Sequence, residues 1–302
     1  MAQFSKDAVF TRWNGNGVSN ETIMAYREEL FGKFTRQITQ LLESKKPKKI
    51  STRKGLLDTR RVYRHNFDEQ VFARKTSIPS SDTTFVFLID NSGSMNSCLG
   101  EEMNNLSAID GANAVVSAFC KANKVVLNNE IKVEVFYKST PCRDMSGFVK
   151  GQVPMLTRVF SNVQGDTDWD KILDVGTNAP VMANGSPVGS LTPEFLLLPA
   201  LTEWMRKNIT TKQVMVINLT DGSVQHTFKD KSIYATDKDT QTLRIKYLRG
   251  IPHVTLFLNA SSWAQDNLKQ IYGENNSMFV KGETFASEFF KLITQMVNEN
   301  VQ

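Results

Sequence analysis

Six apolar positions, Ile23, Tyr26, Leu30, Phe34, Ile38 and Leu41, recur at steps of three and four residues. That period predicts one amphipathic helix over residues 19–44, with Ser19 or Asn20 as its N-cap. Its apolar face must be covered, either by the chain's own folded domain or by a partner. The stretch KKPKKISTRKG that follows reads as a polar, proline-containing connector. From residue 83 the pattern changes to short apolar runs alternating with longer segments of helical period. Strands are expected at 83–90, 131–139, 214–220, 253–259 and 277–281. Helices are expected at about 101–122, 192–208, 240–249, 262–271 and 284–297, with Pro193 in the first turn of the second. The run GFVKGQVPMLTRVF suggests an antiparallel edge strand, and DTDWDKIL a short helix. This alternation predicts an α/β fold, a mostly parallel central sheet with helices on both faces. The expected division is an N-terminal helical, basic segment at 1–82 and the sheet domain at 83–302.

Where the first strand ends, the residues change character. TTFVFLIDNSGSM, residues 83 to 95, closes an apolar run with Asp90, Ser92 and Ser94 at alternate positions. Gly93 lets the backbone turn tightly enough for three hard oxygen ligands to face one point. A small cation that prefers octahedral oxygen coordination and retains water suits that point, Mg2+ first and Mn2+ as an alternative. A second run, QVMVINLTDG at 213 to 222, ends in Asp221 and a glycine. The carboxyl ends of neighbouring parallel strands share one crevice, so Asp90 and Asp221 can reach the same ion.

The pair D-x-S-G-S and T-D-G, in this order and on these strands, resembles the metal-ion-dependent adhesion site of von Willebrand factor A domains, whose fold is Rossmann-like. The resemblance is closest to the C-terminal domain of the cobaltochelatase subunit CobT. That family joins a stretch like GLLDTRRVYR, residues 55 to 64, to a strand ending in IDNSGSM, and the similarity spans roughly residues 55 to 300. It implies a metal held by Asp90, Ser92, Ser94, Asp221 and a threonine of a third loop, with the carboxylates acting largely through bound water. The ion's open position would take a carboxylate of another protein. The resemblance also implies an AAA+ ATPase partner of the CobS/MoxR type, and a cytoplasmic setting. The chain departs from chelatase subunits in its short, basic N-terminal part, which lacks their long acidic region. Compact CobT-like proteins resembling this one are encoded by bacteriophages, where the setting would be the host cytoplasm.

Two threonines compete for the third loop. Thr192 begins the helix before the Asp221 strand and is favoured by its place in the βα order, although CobT-type sequences often carry an acidic residue there. Thr167, in QGDTDWDK, resembles the G-x-T of other A domains. Asp166, Asp168 and Asp170 alternate as in a calcium loop, but Lys171 and Thr177 stand where an EF-hand needs glycine and glutamate. The acidic cluster instead suits a helix N-terminus.

Charge is unevenly spread. Residues 1–82 hold 16 Lys/Arg against 9 Asp/Glu, a net +7, which leaves 20 against 22 for the remainder. The basic run at 45–49, continued by Arg53, Lys54, Arg60, Arg61 and Arg64, is either a solvated linker or a phosphate-binding segment. It carries none of the interleaved aromatics of a base-stacking platform. The N-terminus has no apolar h-region, so no secretory signal is expected, and no stretch is apolar enough to span a membrane. Cys98, Cys120 and Cys142 form no CxxC pair and have no histidine at ligand spacing, which points to three free thiols in a reducing compartment rather than to zinc. The second acid of an aspartyl phosphotransferase, the G-x-S-x-G elbow, HExxH and the phosphate-binding P-loop are all missing. His65, His226 and His253 are scattered. The expectation is a non-catalytic, Mg2+-dependent interaction subunit, with a nucleic-acid-associated or virion structural protein as the alternative.

Overall fold

Every residue of the run Thr83–Asp90 is buried, as a strand covered on both faces must be. In the computed structural model of the protein this run is the middle strand of a seven-stranded sheet. The structure describes residues 9–12, 21–44, 50–52, 56–57, 72–74, 82–97, 99, 106–139, 155–173, 194–222, 227–228, 233–234 and 237–299. In chain order the strands are β1 (Val9–Arg12), β2 (Ile50–Thr52), β3 (Leu56–Leu57), β4 (Phe72–Arg74), β5 (Thr83–Asp90), β6 (Lys132–Ser139), β7 (Met155–Ser161), β8 (Gln213–Thr220), β9 (Thr227–Phe228), β10 (Ile233–Tyr234), β11 (His253–Leu258) and β12 (Ser277–Val280). The helices are α1 (Glu21–Ser44), α2 (Ala108–Leu127), α3 (Glu194–Asn208), α4 (Asp237–Tyr247), α5 (Ser262–Tyr272) and α6 (Gly282–Glu299).

The main sheet has the order β1-β7-β6-β5-β8-β11-β12. Strands β6, β5, β8, β11 and β12 are mutually parallel. Strand β7 runs against β6, and β1 pairs parallel to β7. The expected antiparallel strand therefore exists, but β1 takes its place at the edge. Pattern reading had no means of finding β1, since four residues carry too little periodicity. Within residues 1–82, β2, β4 and β3 form a small antiparallel sheet, and the β2 residues belong to the stretch read as a connector. That corrects the linker reading for those residues, while the lysines of 45–49 lie outside the described residues.

The strands' alternation sorts the core into two faces. On one face Phe85, Phe87 and Ile89 of β5 join Val133, Val135, Met215 and Ile217 beneath α1, α2 and α6. On the other, Val86 and Leu88 join Phe136, Val216 and the α3 residues Leu197, Leu198 and Leu201. Helix α5 covers Phe257 through Leu268, Ile271 and Tyr272.

The predicted apolar face of α1 is buried on the chain's own domain: Ile23, Tyr26, Leu30, Phe34 and Ile38 all belong to the first cluster, and the side chain of Leu41 lies outside the described residues. Phe34 stacks on Phe289 and Phe290 of α6, at centroid distances of 6.1 and 5.6 Å. At the rim Arg27, 3% exposed, meets Asp170 at 2.6 Å, and Lys121 meets Glu28 at 2.6 Å. Helix α2 begins at Ala108 rather than near residue 101, because Ser107 caps it by accepting from Asp110 N at 3.2 Å. It runs to Leu127, where Asn128 turns into the left-handed region at φ 47°.

A buried polar cluster ties β7 to β6. Glu134 accepts from Ser161 Oγ at 2.8 Å and lies 3.2 Å from Arg158 Nε. The Arg158 guanidinium covers the Trp204 ring, 4.8 Å from its centroid. Burial pushes the Glu134 carboxyl above its ordinary value of 4.5, while Arg158 and Ser161 draw it back. The folded state thus holds this proton more tightly than the unfolded state does. The stability it contributes is fully present below the unfolded value and is lost as pH rises through the folded one. Glu134→Gln should therefore flatten the decline in stability that sets in above about pH 4.5, read from urea unfolding at a series of pH values. A decline as steep as that of the wild type would contradict the assignment.

Candidate metal centre

Strand register brings the predicted residues together. Asp90 is the register partner of Lys138 on β6, and Ile89 that of Leu219 on β8. The last residues of three parallel strands therefore lie side by side at one end of the sheet. Asp90 is fully buried. Its Oδ1 accepts from the backbone N–H of Ser92 at 2.9 Å, and its Oδ2 accepts from Thr220 Oγ1 at 2.6 Å. The Lys138 ammonium is 3.8 Å from Oδ2, with the lysine side chain 3% exposed. Burial pushes the Asp90 carboxyl above the usual carboxylate range, and the Asp221 charge adds to that push. Lys138, Thr220 and Ser92 act in the opposite direction, and the group remains raised.

After Asp90 the chain turns through buried Asn91 and Ser92 into a short 3-10 turn, Gly93–Asn96. Met95 anchors the turn, fully buried and with its N–H bonded to Ser92 O at 3.2 Å. The Ser92 side chain makes no cap bond to this turn, and the long helix that follows is capped by Ser107. A capping role therefore does not account for the two serines. Their hydroxyl oxygens lie 3.0 Å apart, with Ser92 buried and Ser94 exposed.

Opposite them, Asp221 follows β8 half-buried, and Gly222 holds φ +94° with its N–H 3.2 Å from Thr220 Oγ1. A Cβ at Gly222 would stand 2.7 Å from Leu268 Cδ1 and 3.2 Å from Phe257 Cδ1. Gly222→Ala thus meets both a left-handed backbone and a packed helix. We expect it to lower unfolding free energy by about 1–3 kcal/mol, measured by urea denaturation; a neutral result would place the α5 contact elsewhere.

Thr192 lies outside the described residues. Thr167 does not approach the site. Its neighbour Asp166 bonds Ser161 through both its N–H and its carboxylate, and Ser161 is the register partner of Glu134, near the start of β6. Lys138 is four residues further along that strand, about 13 Å at the usual rise. Asp168 accepts from Asp170 N at 3.2 Å, which is the capping role expected of the acidic run. His253 sits at the start of β11, bonded to Ile251 O at 2.8 Å, and His65 and His226 lie outside the described residues. Cys120 is buried on α2, its thiol pushed up by burial; Cys98 and Cys142 lie outside the described residues.

Sequence reasoning missed Thr220 and Lys138. The first adjoins Asp221 in NLTDG; the second shows only as a lysine on the inward phase of KVEVFYKS, a position where an unpaired charge would be costly.

The donor set is oxygen-only: two carboxylates and two hydroxyls. No group of three or more His, Cys, Asp or Glu side chains that could hold a metal is found among the described residues. The set therefore fits a hard cation that keeps water in its shell and does not fit zinc. In octahedral Mg2+ coordination with oxygens at about 2.1 Å, adjacent ligands are about 3.0 Å apart. The Ser92–Ser94 spacing of 3.0 Å matches one edge of such an octahedron. Among the described residues no helix is long and apolar enough to cross a membrane.

No protein-family model and no curated protein sequence matches the chain. Solved structures do. The pilus adhesin SpaC from Lactobacillus rhamnosus GG is 15% identical over 72% of this chain and 31% of its own, with a TM-score of 0.47. The PilB minor pilin from Streptococcus sanguinis is 14% identical over 74% and 64%, with a TM-score of 0.46. The vWF domain of the type V pili tip protein Mfa5 from Porphyromonas gingivalis is 12% identical over 73% and 96%, with a TM-score of 0.39. The chain thus spans about a third of the adhesin and just under two thirds of the minor pilin.

Proposed function

We propose that this chain is a von Willebrand factor A-type, non-catalytic interaction subunit. Asp90, Ser92, Ser94 and Asp221, with Thr192 as the expected third-loop ligand, hold Mg2+ or Mn2+ and present it to a carboxylate of a partner protein. The observation that carries the proposal is the pair of hydroxyls 3.0 Å apart beside a fully buried carboxylate. The Lys138 ammonium 3.8 Å away offsets part of the cost of burying that carboxylate, and the hydroxyls at that spacing have no capping duty here. Two water-relayed carboxylates would leave the ion electrophilic toward a third.

The sequence resemblance to CobT-type subunits supports an AAA+ ATPase as the partner, in remodelling or chelatase-type assembly. Capture of such an ATPase by the immobilised full chain, in Mg2+ and then with chelator, tests the reading. Capture is expected to be lost with chelator and in Ser94→Ala. Retention in both would place the interaction surface elsewhere. The net +7 of residues 1–82 supports the nucleic-acid alternative. That alternative predicts an affinity for nucleic acid that falls steeply with salt, less so once Lys45, Lys46, Lys48 and Lys49 are neutralised; no binding at any salt concentration would dismiss it.

A further inference from the structure

The metal-site residues are two carboxylates and neutral hydroxyls, yet a third charge is built into the same strand ends. Lys138 is 3% exposed, its ammonium stands 3.8 Å from Asp90 Oδ2, and its backbone carbonyl accepts from Asn91 N at 3.1 Å. Fixed within β6 beside β5, this side chain cannot leave for solvent as a surface lysine can. It lines a small cavity, about the size of one water, with Leu88, Leu156, Leu198 and Leu201, and with the polar side chains of Asn218 and His253. Arg244 lines the same cavity, but its guanidinium is bonded to Thr255 on β11, two strands from β5.

From this geometry we infer that Lys138 is an internal counter-cation that makes metal binding at Asp90 depend on an anionic ligand. The inference rests on the metal-site reading above. Among the described residues, Asp90 and Asp221 with Lys138 carry a net charge of −1, where the two carboxylates without it would carry −2. A divalent ion therefore leaves the centre at +1, and a monoanionic carboxylate closes it at zero. In a buried site uncompensated charge is penalised far more than in water. The ion alone is thus held weakly, and the ion with a carboxylate is held well. By linkage, each raises the affinity for the other equally. The ligand class that follows is a carboxylate or another monoanion, and neutral oxygen ligands are disfavoured.

The test is calorimetric titration of Mn2+ into the full chain, in acetate and in chloride at equal ionic strength, for wild type and Lys138→Met. The wild type should bind Mn2+ about 5-fold or more tighter in acetate. Lys138→Met should bind tighter than wild type in chloride and lose most of the acetate effect. Lys138→Gln, which keeps a hydrogen-bond donor toward Asp90 without the charge, is read the same way should the methionine variant not fold. Equal Mn2+ affinity and equal acetate dependence in wild type and variant would overturn the role of Lys138 while leaving the metal site standing. Folded protein that binds no Mn2+ in either form would overturn both.

Discussion

Phe34→Ala is expected to lower the unfolding free energy by about 3–5 kcal/mol. The ring is 1% exposed and stacks on Phe289 and Phe290. Phe289 in turn packs on Phe87 of the central strand and Phe119 of α2. Truncation therefore opens a cavity between three elements that cannot all move inward, and that is the condition under which large-to-small changes cost most. One residue earlier, on the exposed side of the helix, Lys33 pairs with Glu29 at 2.5 Å, both more than half exposed. Lys33→Ala should cost under about 0.5 kcal/mol. Urea unfolding of the two variants measures the contrast directly. Equal, small effects would mean that α1 is an appendage. The expected result makes it structural, so that a chain beginning after residue 44 should not fold stably.

The second large effect is at Asp90. Asp90→Ala should abolish metal binding and also destabilise the protein by roughly 3–5 kcal/mol, since it strips a buried carboxylate from the Lys138 ammonium and leaves the Ser92 N–H and Thr220 hydroxyl without their acceptor. Asp90→Asn removes the charge but keeps an acceptor oxygen for the Ser92 N–H, and its amide N–H can donate to a reoriented Thr220 hydroxyl. It should therefore lose metal binding while melting closer to the wild type than the alanine variant does. Thermal melts without metal, paired with Mn2+ titration, separate the two roles. An asparagine variant that binds metal like the wild type would remove Asp90 from the site.

The legible parts of this chain were those in which period or motif is repeated or chemically unusual. The α1 stripe, the five parallel strands and the last helix could be read because each buries a continuous apolar pattern. Asp90, Ser92 and Ser94 could be singled out because a carboxylate and two hydroxyls interrupt an apolar strand end. Other features depend on pairing partners distant in sequence. Four-residue β1 exists only because β7 offers it an edge. The threonine contest at the third loop could not be resolved from spacing. β7 runs against β6 and delivers its end, a few residues before Thr167, to the end of the sheet away from Asp90, while Thr192 lies outside the described residues. Lys138 was missed for a similar reason. Its inward phase in KVEVFYKS marks it as unusual, but only the register sets it beside Asp90.

The most direct test of the account is Mn2+ binding to the wild type and to the double variant Ser92→Ala, Ser94→Ala, by calorimetry in acetate buffer. These side chains bond to each other, and neither caps a helix, so the variant should melt close to the wild type without metal. The account predicts one Mn2+ per wild-type chain and no measurable binding by the folded variant. Undiminished binding by that variant would contradict it.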